Sequence, residues 1–236
     1  MCDCNPLITI YRYSFVGVVQ CQNLVSEDRP VSRFYQITSS GPFNVTIAMG
    51  KTEGLTIEAS QEIIGYVQTV VEGLALNLRF APDLPTNIST TDPINISINA
   101  KIITNLVSSG TGPITFSTPW KAKDVQIILS GTGDITAPVN LNNVNAVLSG
   151  TGNVNINGKC KNVNISASGI GAFNGADLHA QQVNVAIYAS SVVSIYVENG
   201  LSAWIPGSGQ VIYGGSPQVN QQITGSGSVM RADQVE

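Results

Sequence analysis

Charged residues are scarce in this 236-residue chain. They make up 11% of it, whereas soluble domains carry about 25%. From residue 101 to 229 there is no arginine, and the acidic residues are Asp124, Asp134, Asp177 and Glu198. Enzymes that cleave polysaccharides need clustered carboxylates, commonly with a basic residue near the sugar. The composition therefore predicts a non-enzymatic protein and leaves a polysaccharide-active enzyme as a remote alternative.

Residues suited to catalysis or metal binding are equally scarce. His179 is the single histidine, so a histidine metal cluster cannot be assembled. No recognisable Ser or Cys elbow accompanies it to form a catalytic triad, and we expect it on the coil surface. Cys2 and Cys4 lack the Cys-x-x-Cys spacing of zinc and redox sites, and Cys21 has no local partner. We expect Cys160 to be a buried thiol. No catalytic, metal-binding or cofactor-binding residue is predicted.

Basic patches and long apolar runs are also missing. The net charge is −4, and the two lysine pairs, at positions 121 and 123 and at 159 and 161, are predicted to lie on solvated bends. Nothing here favours a nucleic-acid partner. No stretch reaches the roughly 20 apolar residues that a membrane-spanning helix needs. A transmembrane span is therefore not expected.

Residues 1–29 are predicted to be either an export signal or a disordered leader. The run from Leu7 to Val19 has the length of a signal-peptide apolar region, but Arg12 interrupts it and no basic segment precedes it. Cys21 would suit a lipid anchor, although Gln20 occupies a position that requires a small residue. The segment gives weak support for an extracytoplasmic location, in the periplasm or at the cell surface.

The chain is rich in a Ser-Gly-x-Gly motif that recurs through its second half. The first glycines of successive copies are Gly110, Gly131, Gly150, Gly169, Gly207 and Gly225, with Ala189 in place of one. The steps between these positions are 21, 19, 19, 20, 18 and 18 residues. A fixed period near 19 residues is typical of a solenoid.

Apolar and polar residues alternate on both sides of each motif. Two, four and six residues before Gly131 stand Leu129, Ile127 and Val125, and later copies repeat the pattern. Apolar residues return four positions after the glycine, and a third short segment closes each unit. Period-two alternation predicts half-buried strands, and one unit cannot bury its own apolar face. The fold class predicted is all-β, a single-stranded parallel β-helix (solenoid) of about seven coils and roughly 34 Å in length.

The motif glycines are predicted to form the corner of each coil. We expect them to be required because glycine accepts a positive φ in a tight turn. One unit, from Ala189 to Val193, has lost both glycines, which predicts a reshaped corner there. The structural corner residues are Gly131, Gly133, Gly150, Gly152, Gly169, Gly171, Gly207, Gly209, Gly225 and Gly227.

We expect residues 30–230 to form one β-helix domain, followed by a polar tail over 231–236. Residues 30–80 are predicted to be an irregular β segment that caps one end, with a short helix near 61–70. Residues 81–93 have the composition of a loop. Residues 94–230 are predicted to form the repeated coils.

A family resemblance rests on three groups of residues. They are Ser39-Ser-Gly-Pro-Phe-Asn-Val-Thr-Ile47, Val71-Glu-Gly-Leu-Ala-Leu76, and the corners at 130–133, 149–152 and 224–227. From Pro30 to Val229 the chain resembles the family called putative auto-transporter adhesin, head GIN domain, formerly a domain of unknown function. The resemblance implies a right-handed β-helix, export to the periplasm or surface, sometimes a lipid anchor, and no catalytic residues to transfer.

The candidate interaction surface consists of polar residues that alternate with the apolar residues of each strand and line up from coil to coil. A flat array of amides can present repeated hydrogen bonds to a glycan or an envelope protein, and Trp204 or Tyr188 could stack on a sugar ring. The alternative is a structural scaffold that forms homo-oligomers through strand edges. The candidate surface residues are Gln126, Asn145, Asn164, Asn184, Ser202 and Asn220, with Asp134 and Asn153 beyond the corner.

Overall fold

The computed structural model describes residues 24–86 and 92–234. Strands account for 65% of the residues. The strands are β1 (Leu24–Arg29), β2 (Gln36–Ser39), β3 (Phe43–Met49), β4 (Gly54–Ser60), β5 (Val67–Glu72), β6 (Ala75–Phe80), β7 (Ile94–Ala100), β8 (Asn105–Ser108), β9 (Ile114–Phe116), β10 (Trp120–Leu129), β11 (Ile135–Leu148), β12 (Val154–Ala167), β13 (Ala172–Ile187), β14 (Val192–Ile205), β15 (Gln210–Gly215), β16 (Gln218–Ile223) and β17 (Ser228–Arg231). Two 3₁₀ helices cover Ile64–Tyr66 and Ala232–Gln234. The last six residues of the leader predicted over 1–29 form β1, and its cysteines lie outside the described residues.

The strands from β8 to β17 stack as parallel coils. Ile127 lies beside Ala146 of the next coil, which lies beside Ile165, so equivalent positions of the repeat are neighbours in space. The stack has about seven turns of about 19 residues. The predicted parallel β-solenoid is confirmed.

The core is the set of inward columns that alternation predicts. Val144, Val163 and Ile187 are fully buried, as are their equivalents in the neighbouring coils. Trp120 adds a feature that the repeat does not predict: its ring stacks on Phe116 at 4.4 Å, and its indole N–H donates to the carbonyl of Ile103 at 2.8 Å. This buried polar group is therefore satisfied.

Each coil is one long strand between glycine corners. The predicted third segment is continuous with the strands on either side of it, as in β11 and β12. The chain bends where the ladder skips a residue, at Asn142 and Lys161. At these bends two successive residues point away from the core, which resets the period-two alternation for the next side of the coil.

The predicted reason for the corner glycines is wrong. Among the described residues, positive φ values occur at Arg33, Gly73, Gly158 and Gly215, and at no motif glycine. The need for glycine comes from the neighbouring coil: a Cβ at Gly150 would lie 2.1 Å from the carbonyl oxygen of Gly131. Successive corners approach so closely that backbone packs on backbone.

The corner at Ala189–Ser191 lacks glycine and is stabilised differently. Ser191 occupies the second glycine position and is buried. Its hydroxyl donates a hydrogen bond to the carbonyl of Gly169 at 2.8 Å. A small polar side chain is thus accommodated where it satisfies a backbone acceptor of the preceding coil.

Residues 36–49 form a coil inside the stack. β2 pairs in parallel with β8, and β3 with β9. Gly41 is the corner of this coil, because its carbonyl oxygen lies 2.1 Å from where a Cβ of Gly110 would be. On the other side β2 pairs with β6 and β3 with β7. Chain order and stacking order therefore differ in this part of the molecule.

Antiparallel strands occupy the end beyond this coil. β4 pairs with β7, β1 with β4, and β5 with β6, all antiparallel.

The helix predicted near 61–70 is wrong except for the 3₁₀ turn, because β5 already begins at Val67. Its β-branched residues favour a strand beside β6. Within the predicted loop, residues 81–86 and 92–93 contain no strand or helix, and the rest lies outside the described residues.

Candidate functional site

Six polar side chains form one exposed column along the coils. Register places Asn145 beside Asn164 and Asn164 beside Asn184, and continues through Ser202 to Asn220. All six point outward, five of them from strands whose alternate residues are buried and Asn220 from β16, whose residues are all exposed. We call this column the amide ladder; it consists of Gln126, Asn145, Asn164, Asn184, Ser202 and Asn220.

The central amides of the ladder are held by one another. The side-chain N–H of Asn164 donates to the amide oxygen of Asn145 at 2.8 Å, and that of Asn184 donates to Asn164 at 2.9 Å. Each bond uses one of two amide N–H groups and one of two carbonyl lone pairs. The remaining donors and acceptors face solvent at a spacing of about 4.8 Å, the distance between stacked strands.

A shallow trough runs beside the ladder. The next outward column runs through Val147, Ser166 and Ala186 to the much larger Trp204, which Gln222 follows. Small side chains in the middle of this column leave a cleft of about 400 Å³ between the ladder and the indole. Trp204 therefore forms one wall of a polar-edged groove.

Trp204 and Tyr188 form an exposed aromatic pair at this wall. Their ring centroids are 5.3 Å apart and their planes meet at 82°, an edge-to-face contact. Trp204 is 42% exposed and Tyr188 is 50% exposed. The contact restrains both rings while leaving a face accessible to a ligand.

Asp134 and Asn153 do not belong to this surface. They lie beyond the glycine corner, are half-buried, and bond to backbone of the next coil: Asp134 accepts from the N–H of Asn153 at 2.8 Å, and Asn153 accepts from that of Ala172 at 3.0 Å. These bonds stabilise the corner. The structure thus brings together the amide ladder and the aromatic pair, but not these two residues.

Two further amide ladders were not predicted from the sequence. Asn162 donates to Asn143 at 2.7 Å on the bend, and Asn174 donates to Asn155 at 2.7 Å after the corner. Their signal in the sequence is the same 19-residue spacing of asparagine. The trough was also missed, because it depends on the sizes of side chains that alternate with the ladder.

A second cleft, of about 580 Å³, lies on another side of the coils. It contains Lys159, Lys161 and His179, with Glu198 3.9 Å from the histidine. Cys160 is buried there, and burial raises the pKa of its thiol to about 11. This cleft is charged, whereas the trough beside the amide ladder is neutral and aromatic.

In the described ranges, no three histidine, cysteine or acidic side chains are grouped closely enough to hold a metal ion. None of the helices in the described part of the chain has the length and apolar character needed to cross a bilayer.

Comparisons with known proteins agree with this architecture. The family described as putative auto-transporter adhesin, head GIN domain, matches residues 33–217. The fold is similar to that of a putative adhesin from Bacteroides fragilis, with a TM-score of 0.83 and 18% identity over 89% of this chain and 97% of that chain. No curated protein matches the chain.

Two other solved structures have a similar fold. One is a putative lipid binding protein from Parabacteroides distasonis, with a TM-score of 0.70 and 22% identity over 89% of this chain and 96% of that chain. The other is a putative adhesin from Parabacteroides merdae, with a TM-score of 0.64 and 17% identity over 88% and 95%.

The stacked parallel coils with their polar outer columns define the class of protein as a β-solenoid. The chain belongs to the putative auto-transporter adhesin, head GIN domain family. Membership supports an adhesin-like role and a surface or extracytoplasmic location.

Proposed function

We propose that the protein is a cell-envelope adhesion module that binds a glycan along the amide ladder. The observation that carries the proposal is the exposed pair of Trp204 and Tyr188 beside a trough edged by amides. Sugar rings combine an apolar face with hydroxyl groups around the rim, and binding sites match them with an aromatic surface and a few fixed polar groups.

The geometry of the ladder supports a repetitive ligand. Because Asn145, Asn164 and Asn184 are fixed by their mutual hydrogen bonds, little side-chain freedom is lost on binding. The same donors and acceptors recur from coil to coil, so a polysaccharide can engage several of them at once. We therefore favour a chain of sugars that runs along the stack over a single monosaccharide.

The neutral character of this surface favours uncharged sugars. No charged side chain lines the trough. An acidic glycan would find no cation there for its carboxylates, whereas hydroxyl groups can both donate to and accept from the amides.

An array of neutral and acidic polysaccharides, probed with the full chain, tests the proposal. We expect binding to a neutral glycan, and a loss of affinity of about fivefold or more in Trp204→Ala, because stacking contributes about 1 kcal/mol or more. The double variant Trp204→Ala with Asn164→Ala should bind the glycan more weakly than Trp204→Ala alone.

Tyr35→Ala is the matched control, because Tyr35 is 44% exposed but lies far from the trough in sequence and outside its lining. Its affinity should equal that of the wild type. Equal glycan binding by wild type and Trp204→Ala, or failure of the folded wild type to bind any glycan, would contradict the proposal.

A structural scaffold is the second candidate. It is favoured by the last coil, whose outer edge is uncovered in the described residues.

A further inference from the structure

The two ends of the solenoid differ in how their strand edges are covered. At one end, β1 and β5 are antiparallel strands laid over the stack. At the other, β16 pairs only with β14 and β17 only with β15 among the described residues. Within residues 24–86 and 92–234, a row of backbone N–H and C=O groups therefore has no strand beside it at the second end, and such an edge is a template for another strand.

The free edge also exposes apolar side chains that the repeat directs inward. Val219 and Ile223 are 39% and 38% exposed, although their neighbours in the preceding coil, Leu201 and Ile205, are 2% and 0% exposed. All six residues of β16 are exposed. In the last coil, side chains at core positions of the repeat are therefore partly exposed to solvent.

No charged residue lies in β16. From Leu201 to Met230 the sequence contains no Asp, Glu, Lys or Arg, and the first charge after this stretch is Arg231, the last residue of β17. β1 at the opposite end carries Glu27, Asp28 and Arg29. Charged residues are the common device that keeps strand edges from associating, and β16 has none.

We propose that two copies of this chain associate end to end through β16, paired antiparallel about a twofold axis at Gln221. The strand reads Val219-Asn-Gln-Gln-Ile223 and is self-complementary about its centre. In this register Val219 faces Ile223 of the second copy on the inward side. Asn220 faces Gln222 of the second copy on the outward side.

The register also accounts for the polar residue in the inward column. Gln221 stands where the preceding coil has Ala203, which is 2% exposed. On the twofold axis the two Gln221 amides oppose each other, and each can donate to and accept from the other. Head-to-tail stacking would instead place this amide against an end edged by antiparallel, charged strands.

In the dimer, the amide ladders of the two copies form one longer surface. A twofold axis through the ladder side keeps both amide ladders on the same side of the rod, joined across Asn220 and Gln222. Two glycan-binding surfaces on one rigid rod would raise avidity for a long polymer. The dimer itself rests on the terminal coil and does not depend on glycan binding.

Sedimentation of the full chain over a range of about 1 to 100 µM tests the proposal, because dimer content depends on concentration. We expect a species of twice the 24.8 kDa chain mass. Small-angle scattering should show a rod about twice as long as the monomer, as opposed to one of doubled width.

The variant Gln221→Lys places two like charges opposite each other on the axis and should be monomeric over the same range. Asn145→Lys is the control, because it adds the same charge to the middle of the ladder and should remain dimeric. If Gln221→Lys does not fold, Gln221→Glu serves, with dimer lost at neutral pH and regained in acid. A monomeric wild type, a dimer of doubled width, or a folded Gln221 variant that remains dimeric would overturn the proposal.

Discussion

From Ile135 to Ile205 the coils pair in parallel and in register, apart from local shifts between β12 and β13 and between β13 and β14. By contrast, β1, β4 and β5 of the N-terminal segment pair antiparallel. In-register stacking puts each residue beside its own equivalent. Like charges would then repel along a column, while amides can bond in series. Antiparallel pairing brings unlike residues together, and across the antiparallel strands β5 and β6 Arg79 forms an ion pair with Glu72. The two modes of strand pairing therefore favour different side chains in the two regions.

The largest difference between the regions should appear at their glycines. Gly150→Ala would place a Cβ 2.1 Å from the carbonyl of Gly131, whereas nothing lies within 4 Å of the Cβ position at Gly50. We expect Gly150→Ala to lower the free energy of unfolding by at least about 3 kcal/mol and Gly50→Ala to change it by less than about 0.5 kcal/mol. Urea denaturation of both variants measures this. Equal losses would show that coil contact does not determine the corner residue.

Burial inside the repeated coils should also suppress the chemistry of Cys160. Because burial raises the pKa of its thiol from 9.0 to about 11, the thiolate fraction near pH 8 falls about 100-fold relative to the unfolded chain. With Cys2, Cys4 and Cys21 replaced by serine, iodoacetamide should alkylate the native protein at least about 100-fold more slowly than the protein in urea.

The same shift in the pKa of Cys160 fixes the sign of its effect on stability. The unfolded state loses the thiol proton first, so this contribution to stability is complete below about pH 9 and is lost as the pH rises through about 11. Rates of alkylation that match in the native and unfolded states would contradict burial.

Substitution of Arg29 tests what stabilises the antiparallel N-terminal segment. Its guanidinium donates to the carbonyls of Ile64 and Val67 and pairs with Glu27, and its side chain is 18% exposed. Arg29→Ala removes both hydrogen bonds and the ion pair, although the carbonyl of Ile64 still accepts from the backbone N–H of Val67, and it should lower the free energy of unfolding by about 2 kcal/mol.

Arg79→Ala is the control for that measurement. It removes an ion pair whose arginine is 44% exposed, and it should have an effect below about 1 kcal/mol. A smaller loss in Arg29→Ala than in Arg79→Ala, by thermal or urea unfolding, would contradict the role given to Arg29.

The smallest effect expected is at the corner that lacks glycine. Ser191→Gly restores the second glycine of the motif but removes the hydrogen bond to Gly169, so we expect the protein to lose about 1 kcal/mol of stability. The exposed neighbouring substitution Ser190→Gly should cost less. If Ser191→Gly is instead more stable than the wild type, backbone approach alone governs every corner.

The regular coils could be predicted because period and alternation are local properties of the sequence. The columns through Ile127 and Val144 follow from counting residues, and so does the amide ladder. The trough could not be predicted, because it arises where Ser166 and Ala186 are small beside Trp204. The positive φ expected at Gly131 was wrong because sequence shows that glycine is needed without showing which atom excludes a side chain.

The N-terminal segment was harder to predict because its order in space differs from its order in the chain. Gly41 follows a Ser-Ser pair that resembles the later corners, but its coil stacks on residues about 70 positions away. Nothing in the spacing of the motifs predicts that β6 and β7 lie beyond it. Long-range pairing of this kind leaves no periodic signal.

The most direct test of the amide ladder as a binding surface is a tryptophan fluorescence titration with a glycan that the array identifies. The chain has two tryptophans, and Trp120 is 0% exposed while Trp204 is 42% exposed. We predict that the bound sugar changes the emission and protects it from iodide quenching, and that Trp204→Ala loses both the change and the affinity. Glycan binding that leaves tryptophan emission unaltered and persists in Trp204→Ala would contradict the assignment of this surface.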